Sequence, residues 1–300
     1  MDDRKDPAVG ITPSSPSPGA GLSLGERIGI GALAGAALLA FFDPWLSIAV
    51  LAGFILLCGA AAFFPRFGFF LPIISRGTPG KKAVALTFDD GPDPLSTPPL
   101  LRLLAEHQVQ ATFFVIGKQA AAHPELIKAI LHQGHAIGNH SYTHDNLVMF
   151  RSSTSIAAEI TATQQVLQNM GARPLAFRPP VGITGPRLQP ALSNTGMYTV
   201  NFSCRAIDGG NRRIKNIAKK ILNRIQPGDI VALHDASPPS PSLLPAWLNE
   251  IALLLNGIKT KGLAVLPLAE IIDRPVMITD IIDRTKGENP GIAEPGSSDL

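Results

Sequence analysis

Short apolar runs alternate with amphipathic stretches between Ala83 and Leu268, a rhythm that predicts strand and helix in turn. Strand-like runs fall at 83–88, 111–116, 135–138, 175–178, 198–201, 229–233 and 263–267. Helical stretches separate most of them, at 97–107, 124–133, 155–170, 187–194, 214–225 and 243–259. Gly134, Gly171, Gly196 and Gly228 stand where helices should end, because a left-handed residue closes a helix and glycine adopts it without strain. About seven such alternations fit an α/β fold with a closed or nearly closed parallel sheet, not a sandwich.

Upstream the pattern changes class. Residues 1–24 are rich in Pro, Ser and Gly and carry too few large apolar side chains to fold, so a disordered tail is expected. An uncharged stretch then runs from Ile28 to Phe42, is broken by Asp43-Pro44, and resumes from Trp45 to Phe64. The second stretch has about 20 residues, enough to cross a hydrocarbon core of roughly 30 Å, whereas the first, near 15, is marginal. No basic segment opens the chain as a cleaved signal peptide would require, so a membrane hairpin, or one span with a re-entrant neighbour, is the stronger reading. A buried globular hairpin is the alternative. Gly31-x-x-x-Gly35 would let the two helices pack closely, and the aromatic 65–74 segment reads as an interfacial collar. The expected organisation is a tail (1–24), a membrane anchor (25–74), a catalytic domain (78–275) and a flexible C-terminal tail (276–300).

Charge adds one constraint. The net charge is +3 and charged residues make up only 16%, so there is no electrostatic footprint for nucleic acid. Cys58 lies in an apolar stretch and Cys204 in the folded domain, so they are not expected to pair.

Four constellations carry chemistry. Thr87-Phe88-Asp89-Asp90-Gly91-Pro92 puts two adjacent carboxylates where a strand leaves its sheet, and such a pair calls for a cation, a proton or an arginine nearby. His140-Ser141-Tyr142-Thr143-His144 spaces two imidazoles so that a helix or helical turn brings both to one face, within reach of one metal ion. Imidazole with carboxylate suits zinc and its neighbours. Arg178-Pro179-Pro180-Val181-Gly182 fixes an arginine ahead of a rigid turn, either beside Asp89 or on an ordinary surface loop. His234-Asp235 ends the apolar run 230–233, and a histidine there serves either as a strand cap or as a general acid or base.

Together these motifs resemble the polysaccharide deacetylase family, carbohydrate esterase family four, over roughly Ala83 to Leu268. The resemblance implies a distorted (β/α) barrel of about seven strands and a divalent metal, most often Zn2+, used to hydrolyse the N-acetyl amide of amino sugars. It implies Asp89 as general base, with Asp90, His140 and His144 as metal ligands. Arg178 would orient Asp89, His234 would protonate the leaving amine, and Asp208 would pair with His234. The backbone at Pro180-Val181 would supply a second oxyanion donor.

Departures from the family pattern accompany it. Many relatives carry an aromatic where this chain has Val181, and Ala206-Ile207-Asp208-Gly209 lacks the tryptophan that usually follows the aspartate. The expected partners are an N-acetylated glycan and membrane lipid. The positive charges flank both outer ends of the apolar hairpin, at Arg27 on one side and at Arg66, Arg76, Lys81 and Lys82 on the other. The positive-inside tendency would hold both ends in the cytoplasm, whereas family members that act on cell walls work outside. The expected location is the cytoplasmic membrane with the domain extracytoplasmic. An O-acetyl esterase acting on a polysaccharide such as acetylated xylan, a phosphoesterase on a related barrel and an inactive glycan-binding relative are the alternatives, and the chain offers ligands for only one metal ion against the two a phosphoesterase needs.

Overall fold

The computed structural model describes residues 21–279 apart from Pro65, so most of both expected tails lies outside the described residues. Helices α1 (Leu24–Leu39) and α2 (Pro44–Ala61) form an antiparallel hairpin ahead of an α/β domain. The domain's strands are β1 (Ile73–Ile74), β2 (Ala83–Asp89), β3 (Thr112–Val115), β4 (Ala136–Asn139), β5 (Ala172–Pro174) and β6 (Ala176–Phe177). They continue with β7 (Tyr198–Val200), β8 (Cys204–Arg205), β9 (Ile230–His234), β10 (Ala264–Val265) and β11 (Met277–Thr279). The intervening helices are α3 (Thr97–Glu106), α4 (Gly117–Ala122), α5 (Pro124–His132), α6 (Ser153–Gln168) and α7 (Leu188–Leu192). They are followed by α8 (Ile217–Leu222), α9 (Leu244–Thr260) and α10 (Leu268–Ile271).

All seven predicted strands are present, within a few residues of their expected bounds. The sheet runs β1-β7-β6-β4-β3-β2-β9-β8 with β10 added beside β2, and every pairing in it is parallel. It curls into a half-barrel that stays open between β1 and β8. β1 and β11 pair within the domain, so the folded unit reaches past 78–275 at both ends.

Alternation along the strands builds two cores. Val84, Leu86 and Phe88 face outward under α3, α5, α8 and α9, where Trp247, Ile251 and Leu254 cover them. Ala83, Ala85, Phe114, Ala176, Ile230 and Ala232 face into the barrel, and small side chains leave room there. A Cβ at Gly138 would clash with the Phe114 ring, so glycine at that point keeps the ring inside. Each fully buried large apolar side chain contributes about 1.5–3 kcal/mol. Gly134, Gly171, Gly196 and Gly228 all have positive φ; the first two follow the ends of α5 and α6 as expected, but Gly196 and Gly228 lie in turns well past α7 and α8, ahead of β7 and β9.

The hairpin corrects two expectations. Gly31 and Gly35 meet open space, and it is Gly29, with an added Cβ 2.8 Å from Phe54, that lets the helices approach. Gly25 packs in the same way against Phe69. The 65–74 segment is not a uniform collar either: Phe67 is exposed, but Phe69 and Leu71 are buried against the folded chain, because β1 draws this segment onto the sheet. Asp43 caps α2 by accepting from the Trp45 and Leu46 amides at 2.9 and 3.3 Å, and Pro44 starts the helix at no cost in hydrogen bonds.

Candidate active site

The parallel register gathers the four constellations at one end of the barrel. Asp89 lies level with His234 across β2 and β9, and Asn139 with Phe177 across β4 and β6. His140 and Arg178 are the next residues along their chains. Ligand sites in parallel α/β sheets form at this carboxyl end.

Alternation along β2 sends Thr87 and Asp89 toward the barrel interior, where Arg178 is fully buried. Its Nη1 donates to Asp89 Oδ1 and to Thr87 Oγ1, both at 2.7 Å, while Nε and Nη2 donate to the carbonyls of Val200 and Asn201 at 3.2 and 3.1 Å. The guanidinium also lies 4.0 Å from the centre of the Phe114 ring. Burial lowers the Arg178 pKa and the Asp89 carboxylate opposes that shift, so the two form a charged pair with its hydrogen bonds satisfied.

Asp90 diverges from Asp89 because its backbone is left-handed, with φ 75°. That turn carries its carboxylate out of the barrel toward two imidazoles. Asp90 Oδ1 lies 3.1 Å from His144 Nε2 and 3.6 Å from His140 Nε2, yet this buried oxygen accepts no hydrogen bond among the described residues. His140 Nδ1 donates to the Arg178 carbonyl at 2.7 Å, which turns Nε2 toward Asp90. The three donor atoms lie within 4.8 Å of one another.

A carboxylate oxygen and two imidazole nitrogens converging within 4.8 Å fit a divalent cation, with positions left over for water or substrate. Burial pushes the Asp90 carboxyl up, but the close approach and charge of His140, with His144 and His234 behind it, outweigh burial and hold it well below the usual carboxylate range. Burial and the charge of His140 push His144 down, toward the neutral state that a ligand needs.

The histidines meet by a route other than the expected helical turn. Residues 140–147 form a loop in which Ser141 and His144 have φ 65° and 55°. Two left-handed residues turn the chain back, so the spacing of four works without helical periodicity. Glu159 of α6 fixes this loop, accepting from the Tyr142 and Thr143 amides at 2.9 and 2.7 Å and from the Thr143 hydroxyl at 3.0 Å. Asn139 braces its start by accepting from the Ser141 amide and donating to the Ile160 carbonyl. Neither residue stood out in the sequence, since a glutamate on an amphipathic helix looks like solvated surface.

On the other side of Asp89, His234 Nδ1 lies 2.9 Å from the buried Asp208 carboxylate. Burial would lower the His234 pKa, but the Asp208 hydrogen bond and charge, with Asp90 and Asp89 beyond, raise it to about 9. Asp235 follows and turns away into the protein, accepting from the Ser96 and Thr97 hydroxyls at 2.7 and 2.6 Å; burial pushes its carboxyl up to about 7. Pro180 is buried, and Val181 is exposed with φ 52°, a strained conformation for a β-branched residue. Ile207, which precedes Asp208, is exposed too, whereas Gly209 stands where the tryptophan was missing.

The sequence profile of the polysaccharide deacetylase family matches residues 76–200. A chitooligosaccharide deacetylase of Azorhizobium caulinodans is 31% identical over 205 residues, which cover 65% of this chain and 96% of that protein. The chain belongs to the polysaccharide deacetylase family. A second member, a peptidoglycan-N-acetylglucosamine deacetylase of Bacillus cereus, is 32% identical over 197 residues, 64% of this chain and 89% of the relative. Among solved members, the Bc1960 peptidoglycan N-acetylglucosamine deacetylase in complex with 4-naphthalen-1-yl-N-oxidanyl-benzamide aligns at a TM-score of 0.62 and 30% identity. That alignment covers 68% of this chain and 94% of the solved chain. Asp208 and His234 lie beyond the stretch matched by the family profile.

Proposed function

We propose that the chain is a metal-dependent N-deacetylase that hydrolyses the N-acetyl amide of amino sugars in a cell-envelope glycan, working from a membrane-held position. The observation that carries this reading is the division between two adjacent carboxylates. Asp89 is tied to Arg178, and Asp90 presents an unbonded buried oxygen to two histidines. Relatives that deacetylate chitooligosaccharides and peptidoglycan supply the substrate class.

In this reading Asp90, His140 and His144 hold the cation. A divalent ion such as Zn2+ supplies, when bound, positive charge that polarises the acetyl carbonyl and acidifies water. Asp89, oriented by Arg178, takes the proton from the attacking water. His234, kept protonated at neutral pH by Asp208, gives a proton to the amine nitrogen as the C–N bond breaks. The Val181 amide, set by its left-handed backbone, serves as an oxyanion donor whose loss typically costs about 2.7–4 kcal/mol in such sites.

The hairpin supports the membrane half of the reading. Among the described residues one helix, Pro44–Ala62, is long and apolar enough to cross a bilayer, and only 17% of it is buried. Phe41, Phe42 and Trp45 stand exposed at the hairpin tip, suited to an apolar surrounding. The Gly25 amide donates to the Phe69 carbonyl at 2.8 Å, so both ends of the hairpin meet at the domain, and Arg27 and Arg66 flank that end. Positive-inside charge draws that end to the cytoplasm, and a mature envelope glycan lies outside; we place the domain extracytoplasmically on its substrate. A reporter fused after Leu300 that is active only in the cytoplasm would overturn that placement.

Acetate release tests the chemistry. With N-acetylglucosamine oligomers as substrate, Asp89→Asn is expected to keep the metal and lose activity by about 10²–10⁴-fold, while Asp90→Asn loses the metal as well. Equal metal content in the two variants would remove the division of roles. Release from acetylated xylan but not from the oligomers would replace N-deacetylation with ester hydrolysis.

A further inference from the structure

The open edge of the half-barrel carries a feature that the hydrolytic chemistry does not use. A cavity of about 420 Å³ lies beside β8, walled by Arg66, Arg76, Arg205, Arg224, Ile207 and Asp229. Four guanidinium groups face it against one carboxylate. Asp229 is already engaged, accepting from Arg76 Nη2 and the Ser203 hydroxyl at 2.6 Å and from the Gln226 amide at 2.7 Å. Arg66, Arg205 and Arg224 make no ion pair among the described residues. Arg205 is also positioned, lying 5.0 Å from the centre of the Phe202 ring. Three unpaired guanidinium groups around one cavity make it electropositive, and a guanidinium fork matches phosphate oxygens in pairs.

Arg66 belongs to a second wall as well. Next to the basic cavity runs a groove of about 640 Å³ lined by Leu57, Ala60, Ala61, Phe64 and Phe67, the apolar face of the last turns of α2 and the chain that follows. Both volumes lie in the range of small-molecule sites. The junction is held in place, since the Ala62 carbonyl accepts from the Thr184 amide at 3.1 Å and Phe63 packs on Phe150 with ring centres 6.5 Å apart. A basic cavity joined through one arginine to an apolar groove on a membrane helix matches a ligand with an anionic head and a hydrocarbon tail.

We propose that this double cavity binds an anionic phospholipid, with the phosphate on Arg66, Arg205 and Arg224 and an acyl chain in the groove of α2. The proposal rests on α2 lying in a membrane. A lipid so placed would fix the tilt of the barrel against the bilayer and hold Ile207, next to Asp208, near the headgroup layer.

The test uses the full chain extracted in a nonionic detergent and native mass spectrometry with added phosphatidylglycerol, phosphatidylcholine or inorganic phosphate. The wild-type protein is expected to retain phosphatidylglycerol over phosphatidylcholine. The Arg66→Gln, Arg205→Gln, Arg224→Gln triple variant should retain about tenfold less, with unchanged metal content. Equal retention by the variant, or displacement of the lipid by millimolar inorganic phosphate, would overturn the proposal. Extraction of membranes with alkaline carbonate separates the two ideas. Release of the wild-type chain would overturn the membrane reading beneath the proposal, whereas retention together with unchanged lipid binding in the variant would overturn the lipid site alone.

Discussion

The interior of the barrel and its mouth treat polar groups in opposite ways. Inside, Arg178 and Asp89 are buried with their hydrogen bonds made and with Thr87, Val200 and Asn201 completing the set. At the mouth, one turn of backbone away, Asp90 Oδ1 is buried and unbonded while imidazole nitrogens converge on it. The interior network holds Asp89 in place, whereas the unbonded Asp90 oxygen at the mouth is the one that two imidazoles approach. The contrast separates a hydrogen-bonded pair from a cluster that could hold a cation, although the two aspartates are sequence neighbours.

The largest effect should come from breaking the interior. Arg178→Ala strands the Asp89 carboxylate in the barrel and is expected to destabilise the fold by about 3–5 kcal/mol, read by urea denaturation, with loss of acetate release. Arg178→Lys should rescue little of this, because one ammonium cannot reach four acceptors spread over β2, β7 and the chain beyond it. Near-wild-type stability in Arg178→Ala would mean that the interior is not a positioning network.

Breaking the mouth should do the reverse. His144→Ala is expected to leave thermal stability of the metal-free protein nearly unchanged and to remove bound metal, measured by elemental analysis. A large loss of metal-free stability would make the histidine structural instead.

A smaller and pH-dependent effect is expected at the far side of the mouth. Asp208→Asn should move the His234 pKa down from about 9 toward its ordinary 6.5, so the basic limb of kcat/KM shifts to lower pH. The folded-state value is above the unfolded one, so this pair stabilises the fold below about pH 6.5, and the contribution is lost as pH rises through about 9. An unmoved basic limb would assign that limb to another group.

The smallest effect should come from the support of the histidine loop. Glu159→Gln keeps one acceptor for the Tyr142 and Thr143 amides and is expected to weaken metal affinity by about tenfold, measured by competition with a chelator. Unchanged affinity would show that the two left-handed residues hold the loop by themselves.

The reach of the sequence follows the length of the signal. Runs of four or more apolar residues located β2, β3 and β9, and the side-chain types placed every candidate ligand near its partners. The two-residue strands β1 and β8 lie outside the longer alternating runs of the domain, unlike β6 and β10, and they form the open edge of the sheet. The histidine spacing pointed to a shared ligand but to the wrong local geometry, because left-handed turns at Ser141 and His144 leave no signature in residues other than glycine or asparagine. Gly31 and Gly35 matched a packing motif, yet Gly25 and Gly29, at the same spacing, face the neighbours. A spacing of four fixes which residues share a face; what that face meets depends on the rest of the chain.

Arg178 serves both regions at once. Its side chain holds Asp89, and its own carbonyl accepts the proton of His140 Nδ1. Pro179 and Pro180 stiffen the backbone directly after it. A displacement of the chain at this residue would therefore move the Asp89 carboxylate and the His140 ring together.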